Sequence, residues 1–212
     1  MSYEEVSRQV PGTLVRVEGL AHSERALRNG DGSALALQRV EFSHTYGSKN
    51  RKTVIDYSGI APTVMVLQKQ TDTAAGPILA VKTAGFDKGF SVLSKAYLNL
   101  EGPSREVEPR IEKLISPVFK NHKHSSTGSP ELEVWSLPQD TAVTVCGTTA
   151  KEPDREEAVV DARSIAMLTG DGFLAMAHQT AGEFRKVGLV WWSMGGLILV
   201  AIGLIVWRSR YP

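Results

Sequence analysis

The chain has 212 residues, and its 24 lysine and arginine residues against 23 aspartate and glutamate residues give a formal net charge of +1 at pH 7. This balance, without a basic stripe carrying interleaved aromatics, argues against a nucleic-acid partner. The single cysteine, Cys146, excludes an internal disulfide and a cysteine-based zinc module. The length allows one domain, or one and a half.

The residues before position 180 are dominated by short apolar or alternating runs between turn signals. The segments Asn29–Ser33 and Thr169–Gly172 are typical tight turns, and the polar segment His44–Lys52 is predicted to be a hairpin tip. We predict a mainly β fold, a small barrel or sandwich, over residues 12–180, after an N-terminal arm over residues 1–11. The predicted strands are Leu14–Glu18, Leu35–Phe42, Thr53–Tyr57, Pro62–Lys69, Pro77–Lys82, Leu132–Ser136, Ala142–Cys146, Ala158–Asp161, Ser164–Leu168 and Phe173–Ala177.

One helix is predicted to interrupt the strands, over Arg105–Ser116. Ser104 is a suitable N-cap for it, and Pro117 is expected to end it. A second short helical stretch is predicted at about Thr180–Lys186. The apolar residues of the first helix fall on one stripe at helical spacing: Val107, Ile111, Leu114 and Ile115.

The sequence contains no convincing catalytic or metal-binding pattern. His122 and His124 lie two residues apart in a polar loop, but no cysteine or carboxylate lies near them in sequence to complete a zinc site. Cys146 lies in an apolar strand, where a cysteine behaves as a small hydrophobic residue. We therefore predict no catalytic residue, metal ligand or cofactor. The other histidines are isolated and expected at the surface or at strand ends: His22, His44 and His178.

A glycine-containing segment near the end of the β pattern imitates part of a dinucleotide-binding motif. Gly170, Asp171 and Gly172, followed by Ala175, have the spacing of its first half. Too few residues follow for the strand–helix–strand unit and for its acidic ribose-binding residue. We therefore interpret the segment as a hairpin turn.

The chain carries a long apolar run, VGLVWWSMGGLILVAIGLIVW, from Val187 to Trp207. A helix of this length spans about 30 Å, the thickness of the hydrocarbon core of a bilayer. Basic residues flank the run, and tryptophans lie near both of its ends, where indole rings favour the headgroup region. We predict a transmembrane helix over 187–207 and a short tail over 208–212. The predicted anchoring residues are Val187, Trp191, Trp192 and Trp207.

Small residues are predicted to form a packing face on this helix. Gly196 and Gly203 lie seven positions apart, which separates them by only about 20° around an ideal helix. Ser193 lies on the same side. Such a face allows the backbone of a neighbouring membrane helix to approach closely. We therefore expect the bilayer and other membrane-protein subunits as partners.

The order of these motifs resembles that of the GIDE, or beside-a-membrane, domain family of membrane-bound mitochondrial and chloroplast ubiquitin ligases. Leu37–Glu41 is similar to a strand of that family, Pro62–Val81 to its hairpin, and Ser164–Leu174 to its later strand pair. The best match is the segment VWSLPQDTAVTVCGTTA, with these residues in the family positions: Trp135, Leu137, Pro138, Val145, Gly147 and Ala150.

The resemblance implies a β domain held beside a membrane, but it does not imply ligase activity. The ligases of the family carry a zinc-binding RING and an earlier membrane helix, and this chain has neither. A mitochondrial membrane is the favoured location, inner or outer, with a plastid envelope as the alternative. We predict a non-catalytic accessory or scaffolding subunit of a membrane complex. The alternatives are an adaptor that recruits a ubiquitin ligase or another regulator, and an enzyme using the His122–His124 loop or Cys146.

Overall fold

The computed structural model describes residues 1–25, 27–47, 52–69, 78–86, 93–100, 104–120, 129–151 and 159–182. The chain divides into a unit over Met1–Thr169 and a second unit over Gly170–Pro212. The first unit holds two β-sheets and is mainly β, as the sequence predicts. The second unit is described only over residues 170–182.

Five strands close into a small barrel in the order β1, β5, β6, β10, β9. All neighbouring pairs are antiparallel except β6 and β10, which run parallel with Val160 opposite Val81. Inward-facing aliphatic side chains from every strand fill the interior. The bounds of the barrel strands are β1 (Leu14–His22), β5 (Val64–Gln68), β6 (Ile78–Lys82), β9 (Thr141–Ala150) and β10 (Val159–Ala166).

This connectivity is that of an OB-fold barrel, a five-stranded Greek-key barrel. Along the chain the barrel strands follow one another as β1, β5, β6, β9 and β10. Around the barrel the last of them, β10, lies between β6 and β9, and it is parallel to β6. The two long connections, between β1 and β5 and between β6 and β9, supply the strands of a second sheet. A fold of this kind hosts many activities, so it does not by itself assign a function.

The second sheet is built from those two insertions, which pair with each other through their longest strands. Its strands lie in the order β2, β3, β8, β7, and every neighbouring pair is antiparallel. Strand β4 also pairs with β3, along the edge that β2 occupies further towards the start of β3. A bulge in β4 leaves Asp56 as an extra residue between the pairs Phe42–Tyr57 and Ser43–Ile55. The strands are β2 (Leu27–Arg28), β3 (Ala34–Tyr46), β4 (Lys52–Ala61), β7 (Ser94–Asn99) and β8 (Ser129–Pro138).

A short N-terminal helix, α1 (Tyr3–Ser7), packs on the barrel. Its first turn is closed by a capping box, in which Ser2 Oγ accepts from the Glu5 amide and the Glu5 carboxylate accepts from the Ser2 amide. These hydrogen bonds hold the pKa of Glu5 below its usual value. Tyr3 and Val6 are buried in the barrel core, and burial raises the pKa of the Tyr3 phenol. The first eleven residues therefore contribute to the barrel core.

The second helix, α2 (Ser104–Leu114), covers one face of the second sheet together with a 3-10 turn over Pro117–Phe119. Ile111, Leu114 and Ile115 pack against the sheet, as their spacing predicts, and Phe119 completes the cluster. The side chain of Val107 lies outside the described residues. The strand residues of this cluster are Val40, Phe42, Leu98, Leu132 and Val134.

Two features of the predicted strand pattern are wrong, and local structure explains both. The predicted hairpin tip at His44–Lys52 is shorter, because β3 continues to Tyr46 and β4 begins at Lys52. The two strands predicted at Ala158–Asp161 and Ser164–Leu168 are one strand, β10, interrupted by a bulge between Ala162 and Ser164. A bulge inserts one residue and breaks the alternation, which makes one strand look like two in sequence.

The strand predicted at Phe173–Ala177 and the turn predicted at Thr169–Gly172 are also wrong. Residues 170–182 form a helix, α3, which contains the whole segment from Gly170 through Ala175, so the interpretation of this segment as a hairpin turn is wrong. Leucine, alanine and methionine are strong helix formers, and the run FLAMA contains no β-branched residue. Its later part overlaps the helical stretch predicted at about Thr180–Lys186.

The predicted transmembrane helix, 187–207, lies outside the described residues, and so do the anchoring residues Val187, Trp191, Trp192 and Trp207 and the packing face of Ser193, Gly196 and Gly203. Among the helices that the structure describes, none is long and apolar enough to cross a membrane. The anchor therefore stays a prediction from the sequence.

Candidate interaction surface

One face of the second sheet packs against α2, and the opposite face carries polar and aromatic side chains. We name this opposite face the outer face. Directly paired residues of an antiparallel sheet point to the same side. One cross-strand row therefore joins Ile60, Arg39, Trp135 and Lys95, and the next joins Ser58, Glu41, Glu133 and Tyr97. A third row joins Ile55, Ser43, Glu131 and Asn99.

The first row contains a cation–aromatic cluster centred on Trp135. The Arg39 guanidinium lies 5.9 Å from the Trp135 ring centre and 5.4 Å from that of Phe86. The Lys95 ammonium lies 5.1 Å from the Trp135 ring. Trp135 is buried beneath these two cations. Because cations favour the faces of aromatic rings, the cluster holds both charges in fixed positions on the sheet.

Hydrogen bonds fix Arg39 further. Its Nη1 donates to the carbonyl oxygen of Phe86 over 3.1 Å, and its Nη2 donates to Ser58 Oγ over 3.4 Å. The same Nη2 lies 3.9 Å from the Glu41 carboxylate. Its buried Nε has no hydrogen-bond partner among the described residues. Arg39 is therefore a rigid part of the surface.

The carboxylates of the second row balance these cations. Glu41 and Glu133 lie directly opposite each other on β3 and β8, a placement that is unfavourable for like charges unless cations lie close by. Lys95 Nζ donates to Glu133 Oε1 over 2.9 Å, and Arg39 lies next to Glu41. The outer face is thus a mosaic of both signs.

Two large apolar side chains of the outer face are open to solvent. Tyr97 on β7 is 52% exposed, and Ile55 on β4 is 54% exposed. They lie on the two outermost strands of the described sheet, Tyr97 at one end of the second row and Ile55 at the opposite end of the third. Tyrosine, tryptophan and arginine are the residue types that dominate the binding energy of protein interfaces. Of these types, Tyr97 is open to solvent, Arg39 is partly exposed and Trp135 is buried, so Tyr97 is the candidate anchor for a protein partner on this face.

His44 is buried, contrary to the expectation of a surface or strand-end position. Only 3% of the residue is exposed, because β3 continues past it and places it between Val54 and Pro130. Its Nδ1 lies 2.5 Å from Asp56 Oδ2, and its ring makes an edge contact with Tyr46. The buried Nε2 atom meets no hydrogen-bond partner in the part of the chain that the structure describes. This histidine–aspartate pair ties the bulge in β4 to β3.

Cys146 lies on the outside of the barrel wall and is half-buried. It is paired with Arg16 on β1 and Ser164 on β10. Burial raises the pKa of its thiol, and the positive charge of Arg16 partly opposes that increase. A raised pKa leaves little thiolate at neutral pH. The geometry therefore fits a packed cysteine better than a nucleophile.

The barrel face that OB folds commonly use for oligonucleotides is apolar in this chain. On β5 and β6 the outward-facing residues include Val64, Val66, Ile78 and a single cation, Lys82. A cavity of about 260 Å³ lies beside β5, lined by Ser23–Arg25, Pro62 and Val64–Val66. Among the described residues of this surface the cations are Lys82 and Arg25, fewer than the run of positive charges that follows a phosphate backbone.

Other residues singled out in the sequence lie apart from the outer face or outside the described residues. His22 lies at the end of β1, where its Nδ1 contacts Gln139 and Asp140. His178 is exposed on α3, and His122 and His124 lie outside the described residues. In the described part of the chain, no three histidine, cysteine, aspartate or glutamate residues are grouped so as to hold a metal ion.

The chain was compared with protein-family models, with curated proteins and with solved structures, and none of them matches it. The likeness to the GIDE family therefore rests on the sequence motifs.

Proposed function

We propose that this chain is a non-catalytic, membrane-anchored protein-interaction domain that serves as an accessory or scaffolding subunit of a mitochondrial membrane complex. The observation that carries the proposal is the outer face of the second sheet. It places Tyr97 and Ile55 in solvent on the same face as the Arg39–Trp135–Lys95 cluster, with Tyr97 two residues along β7 from Lys95 and Ile55 in the third row on β4. A partner that covers this face would bury Tyr97 and Ile55 on its two outermost strands and would meet the exposed charge of Lys95 between them.

Two features of the sequence support the membrane part of the proposal. The apolar run from Val187 to Trp207 is long enough to span a bilayer as a helix. The resemblance to the GIDE family, whose members lie in organelle envelopes, favours a mitochondrial membrane. The small residues Ser193, Gly196 and Gly203 offer a second contact with other subunits inside the bilayer.

The proposal is tested by removing the exposed apolar side chains of the outer face. The double variant Tyr97→Ser, Ile55→Ser is expected to insert into membranes normally but to leave its complex. Losing two interface anchors of about 2 kcal/mol each weakens binding by a factor of about 10³. Native electrophoresis of mildly solubilised membranes measures the loss of the high-mass species.

The matched control is Val118→Ser, which removes an aliphatic side chain that is 57% exposed on the 3-10 turn after α2. It should keep the complex intact, because surface substitutions away from an interface change little. Migration of the wild-type chain as a lone 23.1 kDa species would contradict the subunit proposal. Copurification dominated by cytosolic ubiquitin ligases would favour the adaptor instead.

A further inference from the structure

A cluster of polar side chains joins the end of β1 to the turn between β8 and β9, apart from the outer face. His22 is the last residue of β1, and Gln139 and Asp140 form the turn. The Asp140 amide donates to the Ala21 carbonyl over 2.8 Å, which ties the turn to β1 through the backbone. The His22 side chain is 33% exposed, and its Nδ1 atom contacts both side chains of the turn.

The orientation of the Gln139 amide is fixed by the backbone of Ser23. The Ser23 amide donates to Gln139 Oε1 over 3.2 Å, and Gln139 Nε2 donates to the Ser23 carbonyl, also over 3.2 Å. Exchanging the two amide atoms of Gln139 would place donor against donor and acceptor against acceptor. The nitrogen of this amide is therefore the atom that meets His22 Nδ1, over 2.7 Å.

His22 Nδ1 has a second neighbour that makes the opposite demand. It lies 3.1 Å from Asp140 Oδ1. A carboxylate only accepts hydrogen bonds, whereas the amide nitrogen of Gln139 only donates them. With a lone pair, Nδ1 can bond Gln139 but not Asp140. With a hydrogen, Nδ1 can bond Asp140 but not Gln139.

Protonation of the imidazole decides between these two partners. The neutral ring can keep the lone pair on Nδ1 and its hydrogen on Nε2, which leaves Gln139 in place. The imidazolium carries a hydrogen on both ring nitrogens, and its charge strengthens the bond to the Asp140 carboxylate. Among side chains, histidine is the usual one to change its charge between about pH 5 and 8. The contacts of His22 therefore depend on pH.

The other charges near this cluster belong to the segment that follows β1. Glu24 and Arg25 are exposed and carry opposite signs, and in the described part of the chain neither forms an ion pair or a hydrogen bond with His22. Strand β5 presents the uncharged Val66 opposite to His22, and the first residue of β9 is a threonine. Asp140 is therefore the charged group that the protonated ring bonds.

Gln139 also supports one wall of the cavity beside β5. The wall is the segment Ser23–Arg25, which lines this cavity of about 260 Å³ together with Pro62 and Val64–Val66. Ser23 is buried, and its Oγ donates to the Arg25 carbonyl over 3.2 Å. The two bonds from Gln139 to the Ser23 backbone therefore hold the wall against the turn. Displacing the Gln139 amide removes this support.

We propose that His22, Gln139 and Asp140 form a pH-sensitive latch on the wall of this cavity. When His22 is neutral, Gln139 bridges its ring and the Ser23 backbone, and the wall is held. When His22 takes up a proton from solvent, Nδ1–H donates to Asp140, the Gln139 amide turns away, and the segment Ser23–Arg25 is released. The latch depends neither on the outer face nor on the predicted anchor.

The test follows the wild-type full chain in detergent micelles by nitrogen-15 NMR. At about pH 8 we expect the neutral His22 ring to carry its hydrogen on Nε2. Hydrogen exchange of the Ser23 amide, corrected for the intrinsic effect of pH on exchange, then reports the wall. Its protection factor should fall about tenfold as His22 becomes protonated, as expected when a hydrogen bond is lost.

Two variants assign this change to His22. In His22→Phe the titrating group is gone, so the protection of the Ser23 amide should be the same at about pH 8 and about pH 5. The matched control is His178→Phe on α3, where the histidine is exposed, and it should keep the tenfold change of the wild-type chain.

Three results would overturn the latch. The first is a neutral His22 ring with its hydrogen on Nδ1, which is measured on the wild-type chain and needs no variant to fold. The second is a protection factor of Ser23 that stays constant while the His22 ring titrates. The third is a decrease of the same size in His22→Phe, which would place the titrating group elsewhere.

Discussion

Replacing Gly30 with alanine is expected to destabilise the first unit by about 3 kcal/mol, the range for forcing extra volume into a packed site. Gly30 lies in the turn Asn29–Ser33, which is pressed against the backbone of α2. A Cβ atom at Gly30 would lie 1.5 Å from the carbonyl oxygen of Glu112 and 2.5 Å from its carbonyl carbon. Backbone atoms of a helix cannot rotate away, so the turn and α2 must separate.

Urea unfolding of the full chain in detergent, followed by the circular dichroism of the β structure, measures this loss. The matched control is Gly85→Ala. The nearest atom to a Cβ at Gly85 is the carbonyl oxygen of Ala162, 3.8 Å away, which is an ordinary contact. Gly85→Ala should therefore change the free energy of unfolding by less than about 1 kcal/mol. Equal stability of the two variants would show that Gly30 does not contact α2.

Replacing Gln38 with methionine is expected to cost about 4 kcal/mol, because it leaves several buried polar groups without partners. Gln38 is fully buried in β3 and joins the second sheet to the end of α2. Its Nε2 donates to the Leu114 carbonyl over 2.9 Å and to Asn29 Oδ1 over 2.8 Å. Its Oε1 accepts from the Ser116 amide over 2.8 Å.

Methionine keeps the volume of glutamine but can replace none of these hydrogen bonds. Ser136→Ala is the control, because its hydroxyl only accepts a long hydrogen bond of 3.4 Å from Gln38 Nε2. Thermal unfolding should show a large decrease for Gln38→Met and a small one for Ser136→Ala. If Gln38→Met unfolds at the wild-type temperature, the α2 connection is not held by this side chain.

The β character, the main helix and several strands of this fold could be predicted because each follows from a local pattern. Alternation over Leu35–Phe42 found the start of β3, and the run Pro62–Lys69 found β5. Helix α1 was missed although the capping-box residues Ser2 and Glu5 are visible in the sequence. Strand β7 was missed because SKAYLN is short and largely polar, and its register with β8 is a long-range contact.

The outer face could not be predicted because it is assembled from strands far apart in sequence. Lys95 and Trp135 are forty residues apart in the chain and become neighbours only through the pairing of β7 with β8. Trp135 was noted for the family resemblance, but its position between two cations depends on register. The burial of His44 likewise depends on β8 lying on one side of β3 and β4 on the other.

The central claim, that the outer face binds another subunit in a membrane, is tested most directly by photo-crosslinking in intact membranes. The photoreactive tyrosine analogue p-azidophenylalanine in place of Tyr97 keeps the shape of the side chain, and the same residue in place of Val118 reports an unrelated surface of similar exposure. We predict one discrete adduct of higher mass from position 97 and none from position 118. The absence of an adduct from position 97, or the same adducts from both positions, would contradict the account.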